Sequence, residues 1–187
     1  MLRMRALKRP CRIVLGSSGI PVDGWLLTDV DQLDIADERH WKRYFRRDSI
    51  DALLAEHVWE HLTPEDARKA TGLCYRFLRP GGRLRIAVPD GWHPDRDYVE
   101  AVRPRGTGPG ADDHKVLYTR ASLEHLLEST GFTTTVLECF DDSGVFVSRE
   151  WSATDGMVQR SARFDHRNRD GQLRYTSIII DAIKPGA

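Results

Sequence analysis

The stretch from Ile50 to Val88 constrains the fold most. Ile50 to Ala55 is apolar after Asp51, as a strand buried on both faces would be. Thr63-Pro64 then opens a helix, with Asp66 three residues after the cap. Ala67, Ala70, Cys74 and Phe77 recur at spacings of three and four, one apolar stripe for a sheet. Pro80-Gly81-Gly82 stops it, and Leu84, Ile86 and Val88 alternate in a strand over Arg83–Val88. Strand, helix and strand in succession predict a layered α/β sheet.

The rest of the chain continues the alternation. Arg12 to Leu15 reads as the first strand, ending in Gly16-Ser17-Ser18-Gly19. Trp25 to Val30 reads as the second, with acids Asp29 and Asp31 at its end, and Leu33 to Ile35 as a very short third carrying Asp34. A charged helix is expected over Asp37–Arg46 with Trp41, Tyr44 and Phe45 inward, and another over Ala121–Thr130 with Leu123, Leu126 and Leu127 inward. Phe132–Phe140 and Tyr175–Ile183 read as the last two strands. Pro104–Asp113 (PRGTGPGADD) is a loop, either a surface connection or a lid. Residues 1–187 are read as one domain, with 141–173 a long polar insertion between the last two strands.

Composition narrows the function. Hydrophobic residues make up 40% and charged residues 30%, a globular rather than a disordered balance. Lys and Arg number 28 and so do Asp and Glu, which argues against a nucleic-acid partner. No run of 18 apolar residues exists, so no membrane-spanning helix is expected. The start of the chain carries Arg3, Arg5, Lys8 and Arg9 but no apolar run of a signal peptide, so the expected compartment is the cytoplasm. Cys11, Cys74 and Cys139 are odd in number and far apart, suited to neither a disulfide framework nor a CxxC zinc site.

Four phrases carry a resemblance. Ile13-Val-Leu-Gly-Ser-Ser-Gly19 looks like a glycine turn after a first strand, and Gly24-Trp-Leu-Leu-Thr-Asp-Val30 like a second strand with a ribose-binding acid. Ala55-Glu-His-Val-Trp-Glu-His-Leu62 and Leu78-Arg-Pro-Gly-Gly-Arg-Leu-Arg-Ile-Ala-Val-Pro-Asp90 look like the motifs around the fourth and fifth strands. From about residue 12 to 184 the chain resembles the class I S-adenosylmethionine-dependent methyltransferases, in particular a group of short bacterial methyltransferase-like proteins. The resemblance implies a Rossmann-like, mostly parallel sheet with an antiparallel pair at one edge. It implies S-adenosylmethionine as cofactor and a small-molecule or saccharide-like acceptor.

The resemblance also distributes roles. Gly16, Ser17, Ser18 and Gly19 would border the cofactor, Asp29 the ribose hydroxyls and Asp34 the adenine amino group. Glu56 and His57 would border the methionine part and its sulfonium, although Glu56 also suits a structural salt bridge or a helix cap. His93, in Trp92-His93-Pro94-Asp95, and His114 follow the fifth strand and the loop, where the acceptor binds in such folds. They are the candidate catalytic bases, since imidazole titrates near neutrality. His57 and His61 are four apart, but no third ligand sits at a telling spacing, and no metal site is expected. Arg160, Arg163, Arg167, Arg169 and Arg174, interleaved with Asp165 and Asp170, make either an ion-paired face or an anion site. Trp151 and Phe164 either wall an acceptor pocket or cover a sheet end.

Two departures from the family pattern bear on function. Val14 stands where an acid is usual, and Ser18 where the middle glycine is usual. Only Ser17 to Gly24 join the first two strands, and eight extended residues reach roughly 26–29 Å, enough to return along a strand but not to form a helix. The first crossover helix is therefore expected to be missing. An adenosine without a pyrophosphate tolerates that loss better than a dinucleotide does, which disfavours a nicotinamide enzyme. The rival reading is a catalytically inactive binding or assembly module on the same fold. The enzymatic reading requires the first two strands to run parallel and Asp29 to face a cavity.

Overall fold

The computed structural model describes residues 10–168 and 170–186. The basic residues Arg3, Arg5, Lys8 and Arg9, and Arg169 of the arginine run, lie outside the described residues.

Seven strands form one sheet: β1 (Arg12–Leu15), β2 (Leu26–Leu27), β3 (Ile50–Glu56), β4 (Leu78–Pro89), β5 (Thr133–Phe140), β6 (Phe146–Ser148) and β7 (Ser177–Ile183). Their order is β2-β1-β3-β4-β7-β5-β6. β2, β1, β3 and β4 pair in parallel, and β7 is antiparallel to both β4 and β5. The antiparallel pair of long C-terminal strands is present, but β7 lies inside the sheet. The edge beyond β5 belongs to β6, a three-residue strand absent from the sequence reading.

Helices α1 (Glu38–Tyr44), α2 (Pro64–Phe77) and α4 (Arg120–Glu128) cover one face. The Thr63 cap acts as the sequence implies, and the structure adds a second at Thr119. The Thr63 hydroxyl accepts from the Asp66 N–H, and Thr119 and Ser122 form a reciprocal capping box. Ala67, Ala70, Cys74 and Phe77 pack against Ile13, Leu53, Leu84 and Ile86 in the main core. Trp41 is fully buried and stacks on Phe77 at 5.3 Å.

Four stretches depart from expectation. Pro80-Gly81-Gly82 does not end the helix but lies inside β4, which starts at Leu78 directly after α2 ends at Phe77. Residues 33–35 are not a strand. Leu33 and Ile35 are buried beneath α1, and the Ile35 carbonyl accepts the Trp41 indole N–H at 3.0 Å, so their apolar character serves helix packing. The second strand shrinks to Leu26–Leu27, although Thr28 still donates to Val14 O and accepts from Ser17. A helix absent from the sequence reading, α3 (Arg96–Val102), is capped by Asp95, whose Oδ1 accepts from the Asp97 and Tyr98 amides.

No helix lies between β1 and β2, as the short connection requires. The face such a helix would cover is taken by residues 149–168 and 170–176, an irregular strap holding two 3-10 turns, Ala153–Asp155 and His166–Asn168. Val158 and Trp151 of the strap join Val14, Leu54, Ala87 and Ile179 in a second, smaller core. This face also carries a buried charge. Arg85, 1% exposed, pairs with Asp181 through two hydrogen bonds and donates to the carbonyls of Ser152 and Gly156. A guanidinium offers five donors, and irregular chain presents the free carbonyls that a helix would spend internally. The irregular chain leaves the Ser152 and Gly156 carbonyls free for that role.

Candidate active site

A cleft of about 1040 Å³ opens at the carboxyl ends of β1 and β3 and runs beneath the strap along the second face as far as Arg12. Open α/β sheets place their ligands at this end.

The turn after β1 forms one wall. Gly16 (φ +64°), Ser18 (φ +47°) and Gly19 (φ +74°) all adopt left-handed backbone. Gly16 is required twice over, because a Cβ there would stand 2.6 Å from Val58 Cγ2. Gly16, Ser17 and Ser18 line the cleft, while Gly19 does not. Asp29 ends the short β2 segment but stays outside the cleft lining. Its Oδ2 accepts the Ser18 N–H at 2.9 Å and its Oδ1 accepts the Val30 N–H at 3.0 Å. Asp34 likewise turns to the Ala36 amide and lies outside the lining. Asp23, on the connection itself, is a carboxylate that does line it.

The end of β3 forms the opposite wall. Glu56 faces the cleft and grips the strap, accepting from the Gln159 and Arg160 amides at 2.9 and 2.8 Å and pairing with the Arg160 guanidinium at 3.2 Å. This is the structural salt bridge weighed against a cofactor contact, now placed at the cleft wall. His57 follows with φ +55°, a strained conformation for a residue with a side chain. Its amide donates to Ala87 O, and its ring is fixed by Ser177. Because the Ser177 hydroxyl donates to Arg160 O, it accepts the proton of His57 Nε2 at 2.9 Å. His57 Nδ1 is then left as an acceptor, 3.3 Å from Glu60 Oε1. Burial pushes the imidazole well below its ordinary range and pushes the Glu60 carboxyl up to about 8. A neutral His57 facing a proton-retaining Glu60 satisfies both shifts.

The two histidines expected near the acceptor part company. His93 is buried away from the cleft: Nδ1 accepts the Asp95 amide, Nε2 meets Leu173 O at 3.1 Å, and the ring stacks on Tyr98 at 4.0 Å. His114 does line the cleft, edge-on to His61 with ring centres 4.7 Å apart. The ladder that brings them together is unusual. Lys115 and Val116 donate their amides to the Glu60 carbonyl, tying the end of the Gly/Pro loop to the 3-10 turn Trp59–His61. His61 thus enters the site, whereas the sequence marks it only by its spacing of four from His57.

Arg160, Arg167 and Arg174 of the arginine run line the cleft with acid partners, whereas Arg163 lies over the Phe164 ring. Arg167 binds Asp165 through two hydrogen bonds and lies over the Tyr175 ring, and Arg174 pairs with Asp170 at 2.6 Å. Trp151 and Phe164 meet edge-on at 5.8 Å, and the Trp151 indole N–H donates to Glu138, so this pair covers the sheet rather than lining the main cleft.

Known proteins share this frame. A family model described as a methyltransferase domain matches residues 26–86. S-adenosylmethionine-dependent methyltransferases of Archaeoglobus fulgidus and Methanosarcina mazei superpose with TM-scores of 0.54 and 0.53 at 14% and 12% identity. The first match covers 94% of this chain and 86% of that one, and the second 97% and 95%. One from Thermotoga maritima gives a TM-score of 0.55 at 14% identity, over 95% of this chain and 83% of that one. The fold is that of the class I methyltransferases. No protein of curated function matches the sequence. Among the described residues no helix is long and apolar enough to cross a membrane.

Proposed function

We propose that this chain is an S-adenosylmethionine-dependent methyltransferase acting on a small-molecule or saccharide-like acceptor. The observation that carries the reading is the cleft itself. It sits at the carboxyl ends of parallel β1 and β3, bordered by Gly16–Ser18 and Glu56–His57, with a volume in the range of cofactor pockets. Val14, Trp25 and Leu54 offer an apolar wall to a flat adenine, and the Asp23 carboxylate suits a cationic ligand. The residues present therefore fit the group. S-adenosylmethionine, when bound, supplies the electrophilic methyl.

The chain's own residues would position and shield. Glu56 fixes the strap over the cleft, His57 and Tyr175 narrow it, and Asp29 orders the glycine turn through the Ser18 amide. His114 is the candidate base that remains at the cleft, and with Nδ1 held by Val102 O at 2.7 Å it keeps Nε2 for the acceptor's proton.

One observation favours the second reading, an inactive binding module: of the two requirements set by the sequence, the parallel pairing of β1 and β2 is met, but the Asp29 carboxylate is turned to backbone amides instead of the cleft. Isothermal titration with S-adenosylmethionine and its demethylated product separates the two. The enzyme reading expects micromolar binding, with Asp29→Ala weakening it about tenfold as the turn loses its tether, a change of about 1.4 kcal/mol. A folded protein that binds neither compound at high micromolar concentration, with Asp29→Ala indistinguishable from it, establishes the module.

A further inference from the structure

We propose that Glu60, His61 and His114 form a binding site for a divalent transition metal of the zinc type, set into the wall of the cleft. One ligand atom from each residue lies within 4.8 Å of the other two. Two imidazoles and a carboxylate are a ligand set that zinc takes in open sites, where a fourth position is left to water or substrate. All three residues line the cleft, so the fourth position faces its interior.

The surroundings favour a ligand independently of that proximity. Glu60 is 1% exposed, and neither carboxylate oxygen receives a well-formed hydrogen bond, His57 Nδ1 facing Oε1 at 3.3 Å as an acceptor. A buried carboxylate without donors is costly, and a cation is the partner that removes the cost most completely. Each histidine also has the outer contact that ligating histidines use to fix ring and tautomer. His114 Nδ1 meets Val102 O at 2.7 Å, and His61 Nδ1 faces the Asp113 carboxylate at 3.3 Å. Nε2 of both rings is thereby left for the metal, and a metal bound there takes His114 out of the role of base. Asp113 is itself held by Lys115 at 2.6 Å.

The spacing is wider than a loaded site. Ligand atoms about 2.0–2.1 Å from one zinc stand roughly 3.3–3.4 Å apart. His61, whose side chain is 34% exposed, has the freedom to close the gap, whereas buried His114 and Glu60 supply the fixed part. The sequence hid this site because its third ligand comes from the end of the Gly/Pro loop.

The test uses the full chain stripped with a chelator, then titrated with zinc and separately with cobalt. The expected result is one zinc per chain after gel filtration and visible cobalt bands of a low-coordinate nitrogen–oxygen site. His114→Ala and Glu60→Gln should each lower zinc affinity at least 100-fold, and Asp113→Asn about tenfold. Circular dichroism checks that the variants fold. Magnesium should not compete, since it prefers oxygen ligands. Zinc absent from the folded wild-type chain, zinc bound equally by the variants, or displacement by magnesium overturns the proposal. If a variant fails to fold, the wild-type cobalt spectrum decides, and a spectrum unchanged from free cobalt overturns it. Titrating S-adenosylmethionine into the same preparations keeps the two readings apart: cofactor bound without zinc sinks the metal site alone, and zinc bound without cofactor sinks methyl transfer alone.

Discussion

Arg85 and Asp181 stand directly opposite each other on β4 and β7, the guanidinium donating from Nε and Nη2 to the two carboxylate oxygens at 2.7 and 2.8 Å. The arginine is fully enclosed, with the Trp151 ring 4.9 Å from its charge centre. Removing one partner leaves a buried charge without compensation. Asp181→Ala should therefore cost about 3–5 kcal/mol in urea unfolding. The paired replacement Arg85→Met/Asp181→Leu should cost less than that single change, because it removes both charges while keeping volume. A double replacement as costly as Asp181→Ala would show that the tether to the strap carbonyls, and not the ion pair, is what the arginine supplies.

Gly16 and Val58 make a second coupled pair. An alanine at 16 would meet the valine methyl at 2.6 Å in a left-handed backbone. Gly16→Ala should destabilise by about 2–4 kcal/mol, the left-handed conformation and the overpacking each contributing about 1–2. In a Val58→Ala background the penalty should fall to about 1–2 kcal/mol, read from paired denaturation curves. An unchanged penalty would place the whole effect in the backbone.

Asp165 gives a dependence on pH. Burial pushes its carboxyl up, but the two hydrogen bonds from Arg167 and the Arg167 amide outweigh this and hold it below its ordinary value of 3.8. A folded-state value below the unfolded one means that the contribution is complete above about pH 4 and is lost as pH falls through the folded value. Asp165→Asn should accordingly lower stability at pH 7, and the difference from the parent chain should shrink below pH 4. Thermal unfolding of both proteins from pH 7 to 3 measures it. A difference that stays constant across that range would rule out the ion pair as its source.

The parts of the fold legible in the sequence were those with local signals. β3, α2, α4 and β5 follow from apolar periodicity and, for α2, from the cap at Thr63, and their ends fall within one or two residues of the reading. The missing crossover helix followed from chain length alone. Leu33–Ile35 misled because a short apolar run serves a helix as well as a sheet. Helix α3 carried a readable cap at Asp95 followed by Tyr98 and Val102, inward at a spacing of four. Arg83 and Arg85, alternating with Leu84 and Ile86 in an interior strand, already marked one face of the sheet as polar. At the site, Asp29 was visible as an acid at a strand end, but a carboxylate there chooses between a ligand and a nearby amide, and Ser18 supplies the amide. His114 and Glu60 meet only through a long-range backbone ladder that no spacing rule records.

The strap over the second face changes how the cleft comes into being. In a fold wound helix by helix, the nucleoside side of the pocket is finished once its first half has folded. Here that wall arrives from residues 149–168 and 170–176, clasped by Glu56 and anchored by Arg85 from strands laid down much earlier. Receptivity to a ligand is thus tied to closure of the last long excursion of the chain, and lesions far from the glycine turn, in the segment leading to β7, acquire the power to empty it.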